Sequence, residues 1–266
     1  MKKLNWSQAK NIIIVLYVML NIFLSVVLGL AYSRDKIPDE TINNTIIALK
    51  NRGVLVKCKL SRYNKETGTL SYEKYEFDRQ QILSNVMDMS FTKGVDVYKN
   101  NGKEIDFVSG NRLIYKDNRF NVYKMKYGDI IKRIDNIMKD MGIVFKTRFI
   151  EKSKDSIVIY EKYNGFYVFG NYAKVDINTN EFILEINYKK IETINTKKRD
   201  IMPIHQVLLK NLVNMQGEIV SDVSFGFKES MLDDNVKQLD DTPAWRVKFS
   251  DGKELFYKAY TGKQLK

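Results

Sequence analysis

The chain has 266 residues, a net charge of +12 from 44 Lys and Arg against 32 Asp and Glu, one Cys and one His. A single Cys excludes an internal disulfide framework. A 44% hydrophobic and 12% aromatic content excludes a disordered chain.

The first element governs the rest. Ile12 to Ala31 is an apolar run that no charge interrupts. A helix rises about 1.5 Å per residue, so about 20 residues cross a hydrocarbon core of about 30 Å. Lys2, Lys3 and Lys10 precede the run. Basic residues flanking a span tend to stay cytoplasmic, and Trp and Tyr favour the interface. The pattern predicts a cytoplasmic N-terminus at 1–10, a membrane-spanning helix at 11–32 and an extracytoplasmic remainder. Lys3, Trp6, Lys10 and Tyr32 are the expected interface anchors. The competing reading is a cleaved secretory signal, for which Gly29-Leu30-Ala31 supplies small residues. The run exceeds the roughly 7–15 residues of a signal core, which favours the anchor.

Within the span, Tyr17, Asn21, Ser25 and Gly29 recur every four residues and so share one helical stripe. The mid-span amide of Asn21 must bond either its own backbone or a partner helix. Ser25 and Gly29 form a small-xxx-small pair that lets another backbone approach. This stripe is the candidate partner-contact face.

Removing the first 31 residues, which hold three Lys and no acid, leaves 235 residues and takes the net charge from +12 to +9. That length suits one large domain or two small ones, with an expected division into 33–127 and 128–266. A basic outer part can meet anionic lipid, anionic wall polymer or an acidic protein, or can simply be a solvated lysine surface. The extracytoplasmic location disfavours nucleic acid.

A helix opens at Pro38-Asp39-Glu40, buries Ile42, Ile46 and Leu49, and stops at Gly53. A strand at 54–60 puts Cys58 on one face with Val54, Val56 and Leu60, as a small apolar residue. A second strand at 69–77 slips phase between Tyr72 and Tyr75, as a bulge would. Asp78 and Gln81 mark a capped helix with Ile82, Val86 and Met89 inward. Strands 95–99 and 104–108 join through Asn101-Gly102, a strong hairpin signal. A further short pair is expected from 112–116 and 120–125.

A strongly amphipathic helix follows at 129–141, with Ile130, Ile134, Ile137 and Met141 inward and Gly142 as its stop. Strands are expected at 143–150, 156–163, 166–171, 174–177 and 181–191, with a turn at Asn164-Gly165. A last helix starts near Pro203 and carries Ile204, Leu208 and Leu212. Val223, Phe225 and Phe227 alternate as a strand. An acidic loop holds Asp233, Asp234, Asp240 and Asp241. A closing hairpin joins 245–249 to 254–260 across Asp251-Gly252. Helices followed by short-linked strands give an α+β class, an N-terminal transmembrane helix followed by repeated helix-plus-antiparallel-sheet units.

No catalytic, cofactor-binding or metal-binding set is expected. His205 and Cys58 lie far apart in sequence and in no nucleophile motif, so His205 reads as a structural or surface residue. The aspartate pairs could hold a hard cation, but they lack the Gly and terminal Glu of an EF-hand loop and read as a solvated loop. The chain carries no P-loop, GxGxxG, HExxH or GxSxG. It is read as a non-enzyme.

The opening Leu4-Asn5-Trp6-Ser7-Gln8-Ala9-Lys10 and the segment Leu20-Asn21-Ile22-Phe23-Leu24 resemble the YycI (WalI) family. So do the closing Pro243-Ala244-Trp245-Arg246-Val247 and Phe256-Tyr257-Lys258-Ala259-Tyr260-Thr261-Gly262. The resemblance implies a single-span membrane protein of Gram-positive bacteria. It implies an extracytoplasmic α+β domain of PepSY-like units, shared with part of the YycH protein. It also implies a regulator that acts, with a YycH-like partner, on the WalK (YycG) sensor histidine kinase and so on cell-wall metabolism. The alternative is an anchored module that binds anionic wall polymer or peptide through the +9 outer charge.

Overall fold

The computed structural model describes residues 6–34, 37–229 and 241–265, with side-chain surroundings for 9–28, 37–229 and 241–265. Lys3, Asp233, Asp234 and Asp240 lie outside the described residues. For Trp6, Gly29 and Tyr32 only the helical backbone is described.

Helix α1 (Trp6–Arg34) is continuous. Its stretch Ala9–Leu28 is long and apolar enough to cross a membrane, and none of that stretch is buried against the rest of the chain. It is the candidate span. Pro38 then leads into α2 (Asp39–Asn51), which buries Ile42, Thr45 and Leu49. Gly53 ends it with φ +79°, a backbone state open to glycine.

Of the strand expected at 54–60, only β1 (Leu55–Val56) joins a ladder. The alternation persists beyond it, with Val54 and Leu60 buried and Lys57 and Lys59 exposed. The second strand is short, β2 (Leu70–Tyr72), and the phase change after Tyr72 is its end. The register shift lies in its partner β10 (Ile191–Ile194), between Ile191 and Thr193. Helix α3 (Arg79–Met87) starts as expected, the Asp78 carboxylate accepting from the Gln81 N–H at 3.0 Å.

Strands β3 (Val97–Asn100) and β4 (Lys103–Asp106) turn through Asn101 and Gly102, both at positive φ. Strand β5 (Arg112–Asp117) does not pair with 120–125; it lies between β4 and β9 (Phe182–Asn187). Residues Val122–Lys124 form a 3-10 turn instead.

Helix α4 (Tyr127–Asp140) buries Ile130, Ile134, Ile137 and Met138. The chain passes Gly142 and buries Ile143 before β6 (Arg148–Lys152) begins. Strand β7 (Ser156–Tyr163) turns through Asn164-Gly165 into β8 (Phe166–Asp176). Strand β8 is one strand where the sequence suggests two, because a register shift at Tyr160/Glu161 in β7 accommodates its change of phase. Helix α5 (Ile204–Asn211) follows Pro203, then come β11 (Ile219–Glu229), β12 (Asp241–Phe249), β13 (Glu254–Lys258) and β14 (Gln264–Leu265). The closing hairpin keeps the expected register, Trp245 opposite Tyr257 and Val247 opposite Leu255.

These strands make one large mixed sheet. It is mainly antiparallel, but the expectation of antiparallel meanders alone is corrected at two places: β11 runs parallel to β1 and to β8. A parallel neighbour needs a long crossover, here β9, β10 and α5.

Two cores result. One spans residues 77–188 and places α3 and α4 on the sheet, with Ile134, Leu113, Ile159 and Leu184 fully buried. The other joins α2 and Leu60 to 201–260, around Leu49, Leu208 and Trp245. Packing therefore runs across position 127 and brings 37–60 together with 201–260. A small third cluster, Leu70, Tyr72, Val168 and Phe227, lies between them. At this seam β8 and β11 pair only through Gly226–Tyr167 and Phe227–Val168. A Cβ on Gly226 would sit 2.2 Å from the Tyr167 carbonyl oxygen, so only glycine fits there.

Candidate partner-contact site

The stripe on α1 is the first candidate. Tyr17, Asn21 and Ser25 are all exposed, and Gly29 continues the same helix. The Asn21 side-chain N–H donates to the Tyr17 carbonyl oxygen at 2.8 Å. An amide has two N–H donors and a carbonyl acceptor, so this bond leaves capacity for a neighbouring helix. Lys10 is exposed just before the apolar stretch.

The sheet domain carries two polar clusters that sequence reasoning missed. The first centres on Arg246, 1% exposed, on the sheet face opposite α2 and α5. Along β12, Trp245, Val247 and Phe249 enter the second core, so Arg246 and Lys248 point the other way. The sheet curls enough that Glu151 of β6 meets both. Arg246 Nη1 lies 2.8 Å from Glu151 Oε2, Nε donates to Ser224 Oγ at 3.0 Å, and Nη2 lies 3.4 Å from Asp222. Lys248 pairs with Glu151 and with Glu254. Tyr160, Tyr167 and Phe169 surround the guanidinium with ring centres 5.4–5.5 Å away. Burial pushes the Glu151 carboxyl up, but Lys248 and Arg246 outweigh it and hold it below the usual range. Burial likewise opposes the Arg246 charge, and Glu151, with Tyr160 and Glu254, more than restores it. Lys162 lies over Phe149 and Tyr167, and Lys228 over Phe256. The aromatic face is thus capped by its own cations.

The second cluster lies at the seam. Asp241 is not part of a solvated loop: it is 1% exposed, begins β12, and accepts from the Tyr72 hydroxyl at 2.7 Å. Lys189 lies 3.6 Å from it. A pairing with a distant strand buries it, which local composition does not reveal. A signal did exist for the first cluster, since Arg246 and Lys248 alternate with Trp245, Val247 and Phe249 in a strand flanked by acids.

His205 is buried on α5, and its Nδ1 has no hydrogen-bond partner. Burial lowers its pKa, which favours neutral imidazole. Cys58 is half-buried, and burial, then the nearby Asp222, pushes its thiol up to about 11. A thiol so protonated is a poor nucleophile. Among the described residues no group of three or more His, Cys, Asp or Glu could hold a metal ion.

A family model described as YycI protein matches residues 33–260. The chain belongs to the YycI family. This is a regulatory family, associated with a sensor-kinase system, and membership implies a WalK-associated regulator. No curated protein matches the chain. Among solved structures, the chain is similar to a crystal structure of an uncharacterized protein from Eubacterium rectale, 13% identical, over 80% of this chain and 91% of that one, with a TM-score of 0.44.

Proposed function

We propose that this YycI-family chain is a non-enzymatic, membrane-anchored regulator of a WalK (YycG)-like sensor histidine kinase, and that it acts together with a YycH-like membrane protein. In this reading residues 1–10 are cytoplasmic, residues 11–32 of α1 span the membrane, the sheet domain lies outside the cytoplasm, and the kinase controls cell-wall metabolism in a Gram-positive cell. The family match over 33–260, beside an N-terminal apolar helix that nothing in the chain covers, is the observation that carries it. Each of α4 and α5 is followed by antiparallel strands, which supports repeated helix-plus-sheet, PepSY-like units, while core packing crosses position 127 rather than dividing there.

The Tyr17, Asn21, Ser25, Gly29 stripe is the intramembrane contact, with Lys3, Trp6, Lys10 and Tyr32 setting its depth. A regulator shifts a kinase between states only by binding those states unequally. Replacing Asn21→Leu and Gly29→Leu keeps the span apolar while removing the amide and the close approach. The pair is expected to lose most co-purifying kinase and to change kinase output; unchanged co-purification and output would refute the stripe. An anionic wall polymer remains the second partner class, since the outer part carries +9; retention that disappears with salt would favour that charge-driven module instead.

A further inference from the structure

In backbone pairing the seam between the two cores is thin, although the Arg246–Glu151 cluster also joins them. Strands β8 and β11 share two residue pairs there, and β12 meets β2 only at Asp241 opposite Leu70. Beside these pairs lies a chain of polar groups drawn from both cores, with Asp241, Tyr72, Asn171 and Glu161 buried, Lys189 partly buried and Glu229 exposed. Asp241 of β12 accepts from Tyr72 of β2. Lys189, between β9 and β10, lies 3.6 Å from Asp241 and 3.3 Å from Glu229 of β11. Asn171 of β8 donates to Glu161 Oε2 at 2.7 Å and to the Lys189 carbonyl at 2.7 Å, and accepts from the Lys189 N–H at 2.9 Å. Glu161 of β7 is 5% exposed.

We propose that Glu161, Asp241, Lys189 and Tyr72 form a proton-operated latch across this seam, which holds the two cores together most firmly when one of the two buried carboxyls carries a proton. The charge balance drives it. Two carboxylates, Asp241 and Glu229, share Lys189, and Glu161 is tied to the Lys189 backbone only through Asn171. Lys146 faces Glu161 from the loop before β6, and Tyr188 lies close on the same side. Tyr72, Asn171 and the Gly170 backbone supply no positive charge.

Burial raises both carboxyl pKa values. Lys189 and the Tyr72 hydroxyl only partly offset it for Asp241, and Asn171 and Lys146 only partly for Glu161. When the seam opens, water reaches these groups and they return toward ordinary carboxylate values. The closed seam therefore holds its proton to higher pH than the open one. Closing is favoured as pH falls, and that advantage is lost as pH rises through the raised values. One proton taken up on closing changes the closed-to-open ratio by up to about tenfold per pH unit.

The test uses the full chain in detergent micelles, with Cys58→Ser and spin labels at Lys139→Cys on α4 and Lys50→Cys on α2, one on each core. Followed through a pH titration, the distance distribution is expected to be narrow at the acid end and to broaden as pH rises through the raised carboxyl values. Glu161→Gln with Asp241→Asn is expected to give one width throughout, while exposed Glu192→Gln keeps the response. An unchanged distribution in the parent chain, or a full response in the double variant, overturns the latch. Should Asp241→Asn prevent folding, Glu161→Gln alone, which keeps an oxygen for Asn171, must shrink the response; a full response there overturns it equally.

Discussion

Arg246 shows how a single residue can be placed correctly and still be misjudged. Its position in an alternating strand gives the face it points to; its near-complete burial depends on Glu151, roughly a hundred residues earlier. Removing one member of a buried ion pair strands the other charges. Arg246→Met should therefore destabilise the protein by about 3–5 kcal/mol in denaturant unfolding. Arg246→Lys should recover only part of that, because an ammonium cannot reproduce the fork that reaches Ser224, Glu151 and Asp222 together. Glu151 adds a pH term of opposite sign to the seam carboxyls. Its lowered pKa contributes stability above the ordinary value of 4.5, lost as pH falls through the lowered one. Glu151→Gln should flatten that acid limb of the unfolding midpoint against pH. Asp241 was illegible for the same reason as Arg246: neighbours such as Asp240 suggest solvent, and its burial depends on β2, which pairs with it and supplies the Tyr72 hydroxyl.

Elements with local causes were the readable ones. Asp78 caps α3 from within its own turn, the α4 stripe is written every three to four residues, and Asn101-Gly102 and Asn164-Gly165 carry their hairpins in two residues. Gly102 has φ +77°, and a Cβ there would lie 2.4 Å from Asn118 Oδ1. Gly102→Ala should cost at least about 1 kcal/mol of stability, with the loss of hydrogen-exchange protection concentrated on β3 and β4. Elements with distant causes were misread. Residues 120–125 alternate like a strand, yet β9 already occupies the open edge of β5. The parallel pairing of β8 with β11 joins residues about sixty positions apart, and no periodicity announces it. Its one local trace is Gly226 in an otherwise bulky strand. Gly226→Ala should overpack the seam by about 1–3 kcal/mol and expose Phe227 and Val168 to probe dyes.

At the scale of the molecule, a bare apolar helix is joined to a mixed α+β domain whose two cores meet at a narrow seam. The helix was legible from length and hydropathy, since an uninterrupted apolar run needs no tertiary context. The pairing of 37–60 with 201–260 was not, because burial of Leu49 against Leu208 depends on how the whole sheet closes. A family match over residues 33–260 makes the chain a member of a regulatory family, and the α1 stripe is where the proposed account makes contact with the kinase. Cysteine scanning along α1 in native membranes, in a Cys58→Ser background, tests that contact most directly. Cross-links to the co-expressed kinase should be strong from positions 17, 21, 25 and 29 and weak from 19, 23 and 27, on the opposite side of the helix. Equal cross-linking all round, or a maximum on the 19, 23, 27 side, would contradict it.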